Sequence, residues 1–378
     1  MTERTILLQA APFCFGPIST LLNVVRALVR PGYRLIVIEE GPTRDLIRRS
    51  GLPLERVALR TAPPFSSELG ELIDQVDLVV SNTDPTFAAA CMARGAKVIV
   101  VDTLFWMWDH IPPILLEADR YIAQGFYGTE AQLKRLGRPR NFLQVGPLTS
   151  TQSPPIPLAE RADSIHVSFG GCDCLLVDPK QDPYPGMMLE LLEDALVAAL
   201  PQDYSVLLCC GERAACSLQP RDRRITVGTL SNQDYLESMR QAQAILLSPG
   251  LTGTLEVLQA ETPVFFFPPQ NYSQVLQLSA YRKANVAPHS FTWTDVYPEF
   301  ALPPYLPEEE AVARVRAVID RFVQDVAARD VLGHTLVGFL EDGIQGYDPA
   351  PARKLCESLG LDGPARAARA IEDWLSHN

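Results

Sequence analysis

The chain has 378 residues, of which 47% are hydrophobic and 21% charged, and a formal net charge of -12. It is longer than a usual single domain, and its composition is that of a globular protein with ample core material. The acid excess is spread along the chain and argues against a nucleic-acid partner, because phosphate backbones reward clusters of Lys and Arg.

No window approaches the roughly 18 uninterrupted apolar residues of a transmembrane segment. The apolar run from Thr5 to Ala11 is too short for a signal h-region and lacks a small-residue cleavage site. Eight cysteines occur, at 14, 91, 172, 174, 209, 210, 216 and 356, without the paired spacing of a zinc site. Several lie inside apolar runs, where a thiol acts as a small hydrophobe. Cys172-Asp173-Cys174 and Cys209-Cys210 are the redox or metal alternatives. These features predict a cytoplasmic protein with no bound metal.

The first half alternates strand and helix patterns. Thr5–Gln9 reads as a strand buried on both faces, followed by the turn Pro12-Phe13-Cys14-Phe15-Gly16-Pro17. Ile18–Val29 has helical spacing, with Leu21, Leu22, Val25 and Leu28 on one face. Strands are predicted at Tyr33–Glu39, Val57–Leu59, Asp77–Ser81 and Lys97–Val101. Helices are predicted at Thr43–Ser50, Glu68–Gln75 and Pro85–Arg94, with glycine stops at Gly51 and Gly95. This alternation argues for a parallel sheet with crossover helices. Val145-Gly146-Pro147-Leu148 closes the half, and the proline-rich segment Thr149–Pro157 reads as a linker.

The second half restarts with Ile165–Gly171, a strand running into a glycine turn. Met187–Leu200 and Asn232–Gln241 read as helices, Ser205–Cys209 and Thr226–Val227 as strands. Glu308–Ala328 reads as one long amphipathic helix and Gly363–Ser376 as a last helix. Asp330–Gly363 receives no assignment.

The most informative stretch runs from Ala244 to Asn285. The apolar run Ile245-Leu246-Leu247 passes into Ser248-Pro249-Gly250-Leu251-Thr252-Gly253-Thr254-Leu255-Glu256, and a helical pattern continues through Ala260. A second apolar run, Val264–Phe267, leads to the polar loop Pro268-Pro269-Gln270-Asn271 and then to Gln274 and Gln277. A strand that opens into a glycine turn and a helix N-terminus offers free backbone N–H groups to an anion such as phosphate. Glu256 lies one or two turns further on, where a carboxylate can reach ribose hydroxyls. The pattern suggests a nucleotide site.

In this order the parts resemble nucleotide-sugar glycosyltransferases of the GT-B architecture, an α/β fold of two Rossmann-like domains facing a cleft. The nearest group looks like the one containing the bacterial lipid II N-acetylglucosaminyltransferase. Four features carry the resemblance: Phe15-Gly16-Pro17, Val145-Gly146-Pro147, Ser168-Phe169-Gly170-Gly171, and Ser248 to Gln277. It implies an acceptor domain over residues 1–150, a donor domain over 158–363, and a C-terminal helix over 364–378 that packs back on the first domain.

The resemblance also implies roles. Gly250, Leu251, Thr252, Gly253 and Thr254 would cradle the diphosphate, the two threonine hydroxyls adding donors. Glu256 would hold the ribose, Gln274 or Gln277 the transferred sugar, and Thr229-Leu230 the base. Gly170 and Gly171 would let backbone approach the donor, and Gly16 would lie on the acceptor side. The chain contains no Asp-x-Asp sequence, which fits stabilisation of the leaving diphosphate by peptide dipoles, without a metal or other cofactor.

One departure matters. The group commonly carries Gly-His in its first loop, and here that place reads Phe15-Gly16-Pro17. The base is therefore sought at Asp102, at a strand end, or at Asp109 beside His110, with a helix cap or a buried hydrogen-bonded carboxylate as the alternative. Trp106 and Trp108, with Phe105, form an aromatic cluster suited to an acceptor pocket or to the core. The aromatic run Phe291–Tyr305 lines the site, covers it or ties the domains together.

The expected function is transfer of a sugar from a nucleotide-diphosphate donor to a small-molecule or peptide-like acceptor, with inversion. Two alternatives stand beside it: a nucleotide-sugar hydrolase or 2-epimerase, and a non-catalytic nucleotide-sugar-binding protein.

Overall fold

The computed structural model describes residues 3–150, 153–170, 172, 182–303 and 305–377. The chain divides into two compact units. Unit 1 comprises Met1–Thr151 and Leu359–Asn378, and unit 2 comprises Gln152–Ser358.

Unit 1 is built on seven parallel strands. In chain order its elements are β1 (Arg4–Ala10), α1 (Gly16–Leu28), β2 (Tyr33–Ile38), α2 (Thr43–Arg49), β3 (Glu55–Val57), α3 (Ser67–Gln75), β4 (Leu78–Asn82), α4 (Pro85–Ala93), β5 (Val98–Asp102), β6 (Arg120–Gln124), α5 (Thr129–Arg135) and β7 (Phe142–Val145). The strand order is β3-β2-β1-β4-β5-β6-β7. Alternate residues of each strand face opposite sides, so Ile6, Leu8 and Val80 join one core layer and Leu7, Val79 and Val98 the other. Helix starts follow from capping side chains: the Ser66 hydroxyl accepts from the Leu69 amide, and Asp84 accepts from Phe87 ahead of Pro85.

Unit 2 carries a five-stranded parallel sheet of order β10-β9-β8-β11-β12. Its elements are β8 (Ala162–Gly170), α6 (Tyr184–Ala199), β9 (Ser205–Cys210), α7 (Glu212–Ala215), β10 (Ile225–Gly228), α8 (Asn232–Gln241), β11 (Ala242–Leu247), α9 (Leu251–Ala260), β12 (Val264–Phe266), α10 (Tyr272–Lys283), α11 (Glu308–Gln324), α12 (Val326–Gly338) and α13 (Ala350–Leu359). The helix expected over Glu308–Ala328 is in fact two. Asp325 adopts an extended conformation and caps α12 through the Ala328 amide, which ends α11 at Gln324. The unassigned stretch Asp330–Gly363 is largely helical: α12 runs on through a π-helical turn at Phe339–Gly343, and α13 follows.

The last helix, α14 (Gly363–His377), belongs to unit 1. Ala367, Ala368, Ile371 and Leu375 enter the core layer formed by Ile18, Leu21 and Val25 of α1. Two glycines permit this docking. A Cβ on Gly363 would stand 2.3 Å from the Pro147 carbonyl oxygen, and one on Gly146 would stand 2.8 Å from the Gly360 oxygen. The Val145-Gly146-Pro147 motif is therefore the seat of the C-terminal helix. Among the described residues no helix is long and apolar enough to cross a membrane.

Candidate active site

In unit 2 the strand order reverses between β8 and β11, and ligands of open α/β sheets bind outside the carboxyl ends of strands at such a reversal. Two turns meet there. β8 ends at Gly170, whose φ of +70° suits glycine, with open space where a Cβ would stand. β11 ends in Ser248-Pro249-Gly250, and the Ser248 amide donates to the Ser168 carbonyl at 2.9 Å.

Gly250 is the N-cap of α9, in an extended conformation (φ −77°, ψ 148°), and no side chain caps the helix. The first helical bond runs from the Thr254 amide to the Gly250 carbonyl at 2.9 Å. The amides of Leu251, Thr252 and Gly253 precede it and are the orphan donors of the first turn. They lie at the positive end of the helix dipole, and a Cβ at Gly250 would meet nothing within 4 Å. The arrangement is an uncapped helix N-terminus entered through a glycine with open space beside it.

Gln270 ties this edge together, and sequence reasoning assigned it no role. Its side-chain amide donates to the Phe169 carbonyl at 2.9 Å and to the Ser248 hydroxyl at 2.6 Å. Its backbone amide donates to Gln274 Oε1 at 2.7 Å. Tyr235 is a second residue found only in three dimensions. Its phenol donates to Ser168 Oγ at 3.2 Å, and a Cβ on Gly253 would stand 3.5 Å from its oxygen. No periodicity marks either residue, because both act across strands far apart in sequence.

Several expected contributors lie elsewhere. Glu256 is 2% exposed and close enough to Tyr235 for its charge to help raise the phenol's pKa, behind burial as the main cause. A ribose cannot reach it as it stands. The Thr254 hydroxyl is fully buried and lacks a hydrogen-bond partner. Thr252 and Leu251 are also largely buried. Gln277 is buried within α10, its Oε1 unpartnered, and Gln274 has its carbonyl oxygen engaged by Gln270. The Thr229 hydroxyl donates to the Cys210 carbonyl at 2.7 Å, which ties the turn after β10 to the end of β9; Leu230 is half-buried beside it. Gly171 lies outside the described residues.

In unit 1 the order reverses between β1 and β4, and the carboxylate at that reversal is Asp84. Its Oδ1 accepts from the Phe87 amide at 2.9 Å and its Oδ2 from the Gln9 side chain at 2.7 Å. Gln9 is in turn fixed by the Ser81 hydroxyl at 2.9 Å. Burial pushes the Asp84 pKa up against these hydrogen bonds, and the charge of Glu40 adds to the rise. The side chain is half-buried. The sequence showed Asp84 only as a residue before Pro85, the pattern of a helix cap. Nearby, Gly16 is exposed at the start of α1, with open space at its Cβ position. Asn82 holds that helix end through Pro17 and through Thr20 at 2.6 Å.

Asp102 proves to be the buried, hydrogen-bonded carboxylate of the alternative reading. It accepts from the Leu104 amide at 2.7 Å, the Trp108 indole at 2.9 Å and the Tyr121 phenol at 2.6 Å, and is 3% exposed. Trp108 is thereby an anchor for its own loop. Asp109 is exposed, its carboxylate 3.6 Å from the Arg135 guanidinium. Trp106 packs on Phe126 with ring centroids 4.8 Å apart, and its indole N–H is buried with no hydrogen-bond partner.

No family model matches the chain, and neither does any curated protein. Solved structures do. A kitacinnamycin glycotransferase superposes with a TM-score of 0.53 at 16% identity, over 98% of this chain and 99% of that one. Arabidopsis thaliana UGT89C1 complexed with UDP gives 0.55 at 12% identity, over 99% of each chain. The spinosyn forosaminyltransferase SpnP gives 0.52 at 13%, over 99% and 100%. At such identities the likeness defines the fold: two parallel-sheet α/β domains of the GT-B glycosyltransferase architecture. The sequence resemblance pointed to a lipid II-type group, whereas these three structures are of other glycosyltransferases.

Proposed function

We propose that the chain is a glycosyltransferase that moves a sugar from a nucleotide-diphosphate donor to a small-molecule acceptor. The observation that carries this reading is the uncapped N-terminus of α9, placed by a glycine turn at the strand-order reversal of unit 2. It is supported by a GT-B neighbour solved both with UDP and with quercetin.

The diphosphate sits on the amides of Leu251, Thr252 and Gly253, whose fixed dipoles meet the charge that grows on the leaving group. Such dipoles need no reorganisation during the reaction, and the absence of an Asp-x-Asp sequence fits a mechanism without a divalent cation. The acceptor oxygen bonds to the anomeric carbon as the bond to the diphosphate breaks, with inversion. Within unit 1, the candidate general base is Asp84, a half-buried carboxylate at the strand-order reversal whose raised pKa suits that work.

The test is a thermal-shift panel of nucleoside diphosphates and their sugars, followed by product analysis with an aromatic acceptor panel. A ligand at a hundred times its dissociation constant adds about 2.7 kcal/mol of stability. No shift with any nucleotide overturns the reading, and turnover without acceptor replaces it with a nucleotide-sugar hydrolase.

A further inference from the structure

Gln9 and Ser81 stand side by side in the register of β1 and β4, the two strands between which the order of the unit 1 sheet reverses. Both are fully buried, on the face whose preceding residues, Leu7 and Val79, are core. An apolar pair would pack there without the cost of burying an amide and a hydroxyl. The two polar groups satisfy each other and lead on to a third. The Ser81 hydroxyl donates to Gln9 Oε1 at 2.9 Å, which turns Nε2 toward Asp84, and Nε2 donates to Asp84 Oδ2 at 2.7 Å.

Helix capping does not account for this arrangement. The cap of α4 needs one oxygen, and Oδ1 supplies it by accepting from the Phe87 amide at 2.9 Å. Oδ2 has no part in the cap, yet a buried amide holds it. A donor on a carboxylate oxygen favours the charged form and fixes the plane of the group. The titratable neighbours of Asp84 do neither. The charge of Glu40, itself engaged by the Thr61 amide at 2.8 Å and hydroxyl at 2.6 Å, opposes ionisation of Asp84. The Cys91 thiol of α4 stays protonated, its pKa pushed up to about 12 by burial and then by the Asp84 charge.

We infer that Gln9, aimed by Ser81, is a positioning residue for the candidate base: it fixes Oδ2 of Asp84 and favours the ionised carboxylate. The inference rests on the reading of Asp84 as the base.

The test uses the full chain labelled with carbon-13 at the aspartate carboxyls, the Asp84 resonance being assigned by its loss in Asp84→Asn. Gln9→Met keeps the length of the side chain and removes the donor; Ser81→Ala keeps the donor and frees its orientation. In Gln9→Met the titration of the Asp84 carboxyl should move up by roughly one pH unit, and in Ser81→Ala by less in the same direction. The acid limb of kcat/KM should move with it, while KM for the nucleotide-sugar, which is assigned to unit 2, stays within about twofold. The titration needs no turnover, so the two readings fail separately. An Asp84 carboxyl that titrates in both variants as in the wild type overturns the role of Gln9, whatever the rates do. A carboxyl that moves while the acid limb stays in place overturns Asp84 as the base, and the positioning role with it.

Discussion

The Tyr121 phenol donates to Oδ2 of Asp102 at 2.6 Å, within a site that also receives the Trp108 indole and the Leu104 amide. These donors make Asp102 the peg on which the loop after β5 hangs. Burial, the leading influence, raises its pKa, and the three hydrogen bonds oppose that rise. Asp102→Ala should leave three donors unmatched, that of Tyr121 fully buried, and cost about 3 kcal/mol, and Tyr121→Phe should cost roughly 1.5–3 kcal/mol. Urea denaturation measures both. If Asp102→Ala kept its stability but lost a hundredfold in turnover, the side chain would be a reacting group and not a peg.

Asp84 is expected to behave in the opposite way. Asn caps helices as well as Asp does, so Asp84→Asn should retain the fold while turnover falls by about 10²–10⁴. The sign of its pH dependence follows from the raised pKa. The folded carboxyl binds its proton more tightly than an unfolded one near 3.9, so this group favours the folded state as pH falls. Turnover needs the ionised form, so the acid limb of kcat/KM should lie above the ordinary Asp range and vanish in Asp84→Asn. A profile with the same acid limb in both proteins removes Asp84 from the reaction.

Much of the fold could be read from the sequence because its signals are local. Thr5–Gln9 and Tyr33–Glu39 are built around the apolar runs Ile6–Leu8 and Leu35–Ile38, and Gly51 and Gly95 stop helices where expected. The strands Arg120–Gln124 and Phe142–Val145 were not picked out individually, and the break at Asp325 depends on one residue's backbone. The α9 turn was readable too, since glycines between strand and helix are a local pattern. What escaped was everything set by strand order. Asp84 and Gln270 matter because of which strands lie side by side, and Asp102 and Glu256 looked available until their surroundings closed over them.

His166 offers a test of the unit 2 core. Ser238 donates its single hydroxyl proton to the Tyr235 carbonyl, so the His166 Nδ1–H donates to Ser238 Oγ at 2.9 Å, and Nε2 is left as an unpaired lone pair. Burial pushes the imidazole down to about 3. An unfolded His titrates near 6.5, so between those values the unfolded chain holds the extra proton. The contribution is complete above pH 6.5 and is lost as pH falls, by up to about 1.4 kcal/mol per unit. His166→Leu should flatten the melting temperature against pH over that window. An unchanged slope would mean that the ring finds a partner for its proton.

The sharpest test of the α9 turn separates stability from binding. Gly250 has a φ of −77°, which any residue adopts, and open space at its Cβ position. Asp or Asn there would cap the helix, worth a few tenths of a kcal/mol over Gly. Gly250→Asp also sets a negative charge where the diphosphate is proposed to lie, while Gly250→Asn adds similar bulk without charge. Both variants should melt at or slightly above the wild-type temperature. Calorimetric titration with UDP, dTDP and GDP should then show at least a tenfold loss for whichever binds the wild type, and a larger loss for Asp than for Asn. If Gly250→Asp bound that nucleotide as the wild type does, the first-turn amides of α9 would not be its seat.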